Sequence, residues 1–143
     1  MTFTHVVTVR FNEVDRAGIA FFGRVFEWCH EAYEELFATA GLRIRDMFEK
    51  ESWAMPLVHA EADYRRPMRL GDRLAIDVRL ERLGRRSLTL AYTVRGAEGG
   101  APDEDVRATA RLVHAFVELD RFAPREVPDK VRDALARMGM LGE

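Results

Sequence analysis

Asp15 lies in Asn12-Glu13-Val14-Asp15-Arg16-Ala17-Gly18, a turn between an alternating stretch and a long apolar one. Ahead of it, Val7, Val9 and Phe11 alternate, which predicts a strand over about Thr4 to Phe11 with these three on one face. Behind it, Val25, Cys29, Ala32 and Leu36, with Phe26, Tyr33 and Phe37, recur at helical spacing. They predict a helix from about Gly23 to Ala40, stopped by Gly41. The carboxylate therefore feeds the N-terminus of a helix, where backbone N–H groups are unpaired and carry partial positive charge. Acid–base chemistry on a carbonyl needs these two things, a carboxylate and an N–H that stabilises an oxyanion. The competing use of such an aspartate is to hold a turn or cap a helix. Glu13, two residues earlier, reads as a solvated turn carboxylate.

Other chemistries lack their residues. No serine stands in a G-x-S-x-G elbow, and there is no Walker A or dinucleotide fingerprint. His5, His30, His59 and His114 are scattered; His30 and Glu34 have i, i+4 spacing but no third ligand, so no metal is expected. The lone Cys29 excludes an intrachain disulfide and a cysteine-based zinc site, and its helical register makes it a core residue. With 22 basic and 24 acidic residues the net charge is −2, which gives no general footprint for nucleic acid or membrane, although unevenly placed arginines leave room for a local basic patch. The start MTFTHVV lacks a signal-peptide pattern, and no run approaches the roughly 18 apolar residues of a membrane span. A cytoplasmic protein is expected.

The elements that must position Asp15 form one domain over residues 1–143, with 48% apolar and 32% charged residues sufficient for a core. Arg43 to Ser52 reads as a short irregular helix or cover, and Trp53 to Arg66 as a strand interrupted by Pro56. Pro67 to Asp72 is a turn. Leu74, Ile76, Val78 and Leu80 alternate in one strand, Leu88, Leu90, Tyr92 and Val94 in the next, with a tight hairpin at Leu83-Gly84-Arg85-Arg86 between them. A third strand runs over Val106 to Asp120 beyond a polar, Gly-rich loop, Gly96 to Asp105, expected to be mobile. Pro128 to Met140 reads as a helix with proline in its first turn. Short connections imply antiparallel neighbours, and one long helix must lie against their sheet. Apolar around much of its circumference, that helix calls for a strongly curved sheet or a partner subunit, which argues against a monomer.

The residues Val9 to Trp28, V-R-F-x-x-x-D-x-A-G-I-x-F-F-x-x-x-F-E-W, then HEAYEELFATAGL and Y-R-R-P-M-R-L-G-D at Tyr64 to Asp72, resemble the 4-hydroxybenzoyl-CoA thioesterase family. The resemblance covers roughly Val6 to Asp120. It implies an α+β hotdog fold, a curved five-stranded antiparallel sheet wrapped around one long helix, here followed by a C-terminal helix. Its dimers pair edge strands and often form tetramers, so a homo-oligomer (a dimer or a dimer of dimers) is expected. The implied activity is hydrolysis of an acyl-CoA thioester, coenzyme A being part of the substrate rather than a cofactor.

On this resemblance Asp15 is the catalytic nucleophile or general base. Phe22 would offer its backbone N–H to the thioester carbonyl, and Gly18 would let the chain turn beneath the substrate. Arg85 and Arg86 match the position from which relatives bring positive charge to the CoA nucleotide; Arg65, Arg66 and Arg69 form a second cluster. His59 lies in the strand expected to approach the acyl pocket. Some relatives carry histidine where this chain has Phe22, which favours the aromatic-acyl branch: CHEAYE at Cys29 to Glu34 is similar to 1,4-dihydroxy-2-naphthoyl-CoA thioesterases, and DRAGI at Asp15 to Ile19 equally to benzoyl-CoA thioesterases. The rival readings are a hydroxyacyl dehydratase, disfavoured because no histidine lies over Gly18 to Arg24, a short-chain or acyl-carrier-protein thioesterase, and a noncatalytic acyl-CoA-binding regulator, for which an unpaired Asp15 has no use.

Overall fold

The computed structural model describes residues 2–98 and 103–141. In chain order it contains β1 (Phe3–Thr8), α1 (Arg24–Thr39), α2 (Ile44–Lys50), β2 (Trp53–Ala54), β3 (Leu57–Tyr64), β4 (Arg73–Leu83), β5 (Ser87–Gly96), β6 (Val106–Ala115), β7 (Val117–Glu118), β8 (Ala123–Pro124) and α3 (Asp129–Arg137). Five strands form one antiparallel sheet in the order β1-β4-β5-β6-β3, and α1 packs on it against β4, β1 and β6. This is the hotdog arrangement expected. A second, three-stranded sheet, β2-β7-β8, was not foreseen, because two-residue strands carry no periodicity. Residues 99–102 of the loop expected to be mobile lie outside the described residues.

The core follows the alternation. Leu74, Ile76 and Val78 of β4 and Leu88, Leu90, Tyr92 and Val94 of β5 are buried on the α1 side of the sheet. From α1, Val25, Trp28, Cys29, Ala32, Tyr33, Leu36 and Phe37 are buried, each large one stabilising the fold by about 1.5–3 kcal/mol. The rest of α1 presents Glu27, His30, Glu31, Glu34 and Glu35 to solvent. The helix is thus amphipathic, and one sheet face covers its apolar stripe. The reading of α1 as apolar around much of its circumference is corrected accordingly.

Two ends differ from expectation. β1 stops at Thr8, and Phe11 lies in a 3-10 turn over Phe11–Glu13 with its ring exposed. Pro128 is the residue just before α3, which crosses the hairpin end of the sheet. There the Arg85 carbonyl accepts from Val127 N–H at 2.8 Å. Arg137 of α3 donates twice to the Ala40 carbonyl, at 2.9 and 2.7 Å, placing a cation on the C-terminus of α1. Gly41 ends α1 as expected: at φ +86° it lets Leu42 N–H reach back to the Phe37 carbonyl at 2.8 Å. Among the described residues no helix is long and apolar enough to cross a membrane.

Candidate active site

The segment from Glu13 to Phe21 is a small hairpin. Phe21 N–H donates to the Glu13 carbonyl and Asp15 N–H to the Ile19 carbonyl, both at 2.9 Å, and Val14 bridges Ala20. Its tip is the tight turn in which Gly18 N–H reaches the Asp15 carbonyl at 2.9 Å. Gly18 has φ +78°, a conformation open to glycine at little steric cost. The Asp15 carboxylate is exposed. Its Oδ1 accepts from Ala17 N–H at 2.9 Å and from Ile19 N–H at 3.4 Å, which holds the turn. Among the described residues Oδ2 accepts nothing. One oxygen is structural and the other is available.

The helix start lies at the open end of this hairpin. Arg24, Val25 and Phe26 N–H groups bond back to the Phe21, Phe22 and Gly23 carbonyls. Phe22 N–H lies ahead of these bonds and has no partner among the described residues. Phe22 as a residue is 62% exposed. Tyr64, at the end of β3, donates its hydroxyl to the Phe22 carbonyl at 2.6 Å and so ties down the Phe22–Gly23 peptide, the one that follows the peptide carrying the Phe22 N–H. Sequence reasoning missed Tyr64 as a positioning residue, although it stood inside the quoted Y-R-R-P motif. Glu13 is also more than a solvated carboxylate: it accepts from Trp28 Nε1 at 2.9 Å and from Arg10 N–H at 2.8 Å, pinning the hairpin to α1.

The connection from β3 to β4 supports the hairpin from below. Leu70 N–H donates to the Gly18 carbonyl at 3.0 Å and Ala20 N–H to the Met68 carbonyl at 2.8 Å. Arg107, on β6, holds that connection through the Pro67 carbonyl at 3.0 Å and Asp72 Oδ2 at 2.8 Å, and bonds Asp105 through two nitrogens. Burial alone would raise the Asp72 carboxyl, but the bonds from Arg107 and from Arg69 N–H bring it below its ordinary value. The Arg107 hydrogen bond lowers Asp105 as well.

A cavity of about 800 Å³ opens beside α1, one helical turn beyond Phe22, and is lined chiefly by Phe26, Tyr33, Met47, Trp53, Leu112 and His114. His30 stands at its edge, with its ring 6.0 Å from His114 and 5.5 Å from Tyr33, rather than in a metal pair with Glu34. Among the described residues no group of three or more His, Cys, Asp or Glu is placed to hold a metal ion. Burial pushes the Cys29 thiol far above its ordinary value, so it stays a protonated core group.

The remaining candidates lie apart. β4 begins and β5 ends beside the Asp15 hairpin, whereas Arg85 and Arg86 turn at the other end of these strands, about 30 Å away along β4. Within one chain they do not meet Asp15. Arg85 pairs with Glu126 at 3.0 Å, and the Arg86 side chain makes no ion pair among the described residues. Of the second cluster, Arg69 bridges Ile19 in the Asp15 hairpin, while Arg65 and Arg66 bond the Arg107 carbonyl through their N–H groups and Arg66 also pairs with Asp105 at 3.2 Å. His59 does not line the cavity in this chain. It pairs in register with Val113, so it faces away from α1, and its ring meets Glu61 at 2.8 Å. The histidine inside is its neighbour across the sheet and one step on, His114. The strand expected over Val106 to Asp120 contains His114, but nothing in the sequence says that a cavity lies over it.

A family model described as the thioesterase-like superfamily matches residues 9–135. A 1,4-dihydroxy-2-naphthoyl-CoA hydrolase from Nostoc punctiforme is 36% identical over 131 residues, covering 92% of this chain and 84% of that protein. One of the same name from Prochlorococcus marinus is 38% identical over 139 residues, covering 92% and 88%. The crystal structure of a 1,4-dihydroxy-2-naphthoyl-CoA thioesterase from Synechocystis superposes with a TM-score of 0.87 at 26% identity, over 97% of this chain and 98% of that one. With the hotdog sheet, the buried helix and the matched span in agreement, the chain belongs to the thioesterase-like superfamily.

Proposed function

We propose that this protein hydrolyses an aromatic acyl-CoA: the thioester and one water give the free carboxylic acid and the CoA thiol. The observation that carries this reading is the unpaired Phe22 N–H at the head of α1, following a turn whose aspartate keeps one free oxygen. By strand geometry Phe22 lies three residue steps beyond Ile19, the position facing Asp15, about 10 Å of backbone. An N–H···O bond, the carbonyl and an attacking oxygen span about 7 Å, and an aspartate side chain covers the rest. Asp15 then either activates water or attacks the carbonyl itself, and the peptide N–H steadies the tetrahedral oxyanion, a contribution commonly worth about 10²–10³ in rate. The relatives' aromatic substrates and the largely apolar cavity beside α1 support an aromatic acyl group.

The site is completed by a second copy. β3 is an edge strand whose outer backbone is unpaired, and it exposes Leu57, Val58 and Tyr64. Antiparallel pairing of two β3 strands about a two-fold axis sets the Tyr64 end of one beside the Leu57 end of the other. Phe22, tied to Tyr64, then approaches the second copy's cavity, and the Arg85–Arg86 hairpin of that copy comes to the same end of the dimer as Asp15. Guanidinium groups there would hold the CoA phosphates through paired donors. Pairing of two such dimers gives a tetramer. A cytoplasmic setting goes with a CoA substrate.

Thiol release from benzoyl-CoA and from a naphthoyl-CoA tests the reading. The wild type turns over, while Asp15→Asn, which keeps the turn-holding oxygen, loses about 10²–10⁴ in kcat with an unchanged melting temperature. Tight binding by the wild type with no thiol released would instead identify a regulator. Faster turnover of the same acyl groups on acyl carrier protein would move the substrate to that carrier.

A further inference from the structure

His114 is 1% exposed and lines the apolar cavity, stacked on Tyr33 with 4.8 Å between ring centroids. Its Nδ1 lies 3.0 Å from the Met55 carbonyl oxygen. A carbonyl only accepts, so Nδ1 carries the ring proton and Nε2 is left as a bare acceptor. Nε2 is buried and has no hydrogen-bond partner among the described residues. Burial, opposed in part by the Met55 bond, lowers the ring below its ordinary value, so at neutral pH it stays uncharged and keeps that lone pair. A buried acceptor left unmade is costly, and the cost ends when a donor arrives. The donor must come attached to something that also fills an apolar cavity. The ring beside it, that of His30, is exposed on α1 with its centroid 6.0 Å away.

Resting on the acyl-CoA reading above, we infer that His114 is a specificity-determining residue: its Nε2 accepts a hydrogen bond from a hydroxyl carried by the aromatic ring of the acyl group. A protein site built around such a bond rejects the analogue that lacks the hydroxyl, because its own polar atom is then left unpaired, whereas an extra apolar carbon is discriminated weakly. The hydroxyl is thereby read separately from the thioester, which the Asp15–Phe22 end handles.

The test compares ring-hydroxylated naphthoic acids with unsubstituted 2-naphthoic acid by calorimetry, and their CoA thioesters by thiol release. For at least one hydroxylation pattern the wild type prefers the hydroxylated member by about 10- to 100-fold in Kd and in kcat/KM. His114→Leu removes the preference by weakening the hydroxylated ligand while holding the unsubstituted one within about threefold. His114→Gln, whose amide oxygen can accept in place of Nε2, restores part of it. The wild-type preference needs no variant, so misfolding of His114→Leu leaves the proposal open to refutation. Equal binding of hydroxylated and plain acids by the wild type overturns it, as does an equal loss on both in a folded variant. If the preference holds in binding but no thioester is hydrolysed, the hydrolytic reading fails and the role of His114 stands.

Discussion

The two ends of the site are built in opposite ways. Around Asp15 and Phe22 the groups are exposed and held by backbone hydrogen bonds, with Gly18 at the tip of the turn. Around His114 the groups are buried side chains, packed ring against ring over a cavity. A backbone scaffold can aim an N–H and a carboxylate without regard to most side chains, which suits a bond common to every thioester. A packed pocket depends on the volume of every residue lining it, which suits discrimination between acyl groups. The contrast fits the proposal that a second copy completes the site, because the cavity of one chain is lined by neither Asp15 nor Phe22.

If the ends are joined by a second copy, separating the copies should cost most. Ala60→Asp puts like charges near the middle of β3 in both copies. We expect monomers by sedimentation and a loss of at least about 100-fold in kcat/KM, with the circular dichroism of the fold retained. Full activity in a monomer would show instead that each chain works alone. Next in size is the support of the reactive end. Arg107→Met strands Asp72 and the Pro67 carbonyl, and denaturant unfolding should record about 2–4 kcal/mol lost.

A smaller effect isolates aim from reactivity. Tyr64→Phe removes the hydroxyl on the Phe22 carbonyl and leaves its N–H in place, so kcat should fall about three- to tenfold with KM nearly constant. A change confined to KM would make Tyr64 a binding residue only. The smallest effect belongs to the packed end. The ordinary value for His114 is lowered on folding, so between that value and its folded one the unfolded chain holds more protons than the native one. Stability from this residue is therefore present above about pH 6.5 and declines as pH falls below it. His114→Leu should flatten that part of the stability curve between pH 7.5 and 5.5, followed by urea unfolding.

Much of the molecule could be read without coordinates. The alternation of Leu74 to Leu80 and of Leu88 to Val94, the spacing from Val25 to Phe37 and the glycine at position 41 are local signals, written in the side chains that respond to them. They led to α1, β4, β5 and their antiparallel order, and the motif around Asp15 led to the family. What they left open was every relation between distant residues. His59 and His114 differ by one step of a pleat, and only the pairing of β3 with β6, bulge included, decides which of them faces α1. Arg85 and Arg86 belong to a motif but stand a full strand away from Asp15, because a hairpin turn and the loop at the opposite end of the same strand are as far apart as that strand is long. Glu13 found Trp28, and Tyr64 found Phe22, across separations that no periodicity reports. Local pattern selects elements because each residue's conformational preference acts on its own neighbourhood. The contacts that make a site arise only when those elements compete to bury their apolar faces together, and that outcome is a property of the packed chain.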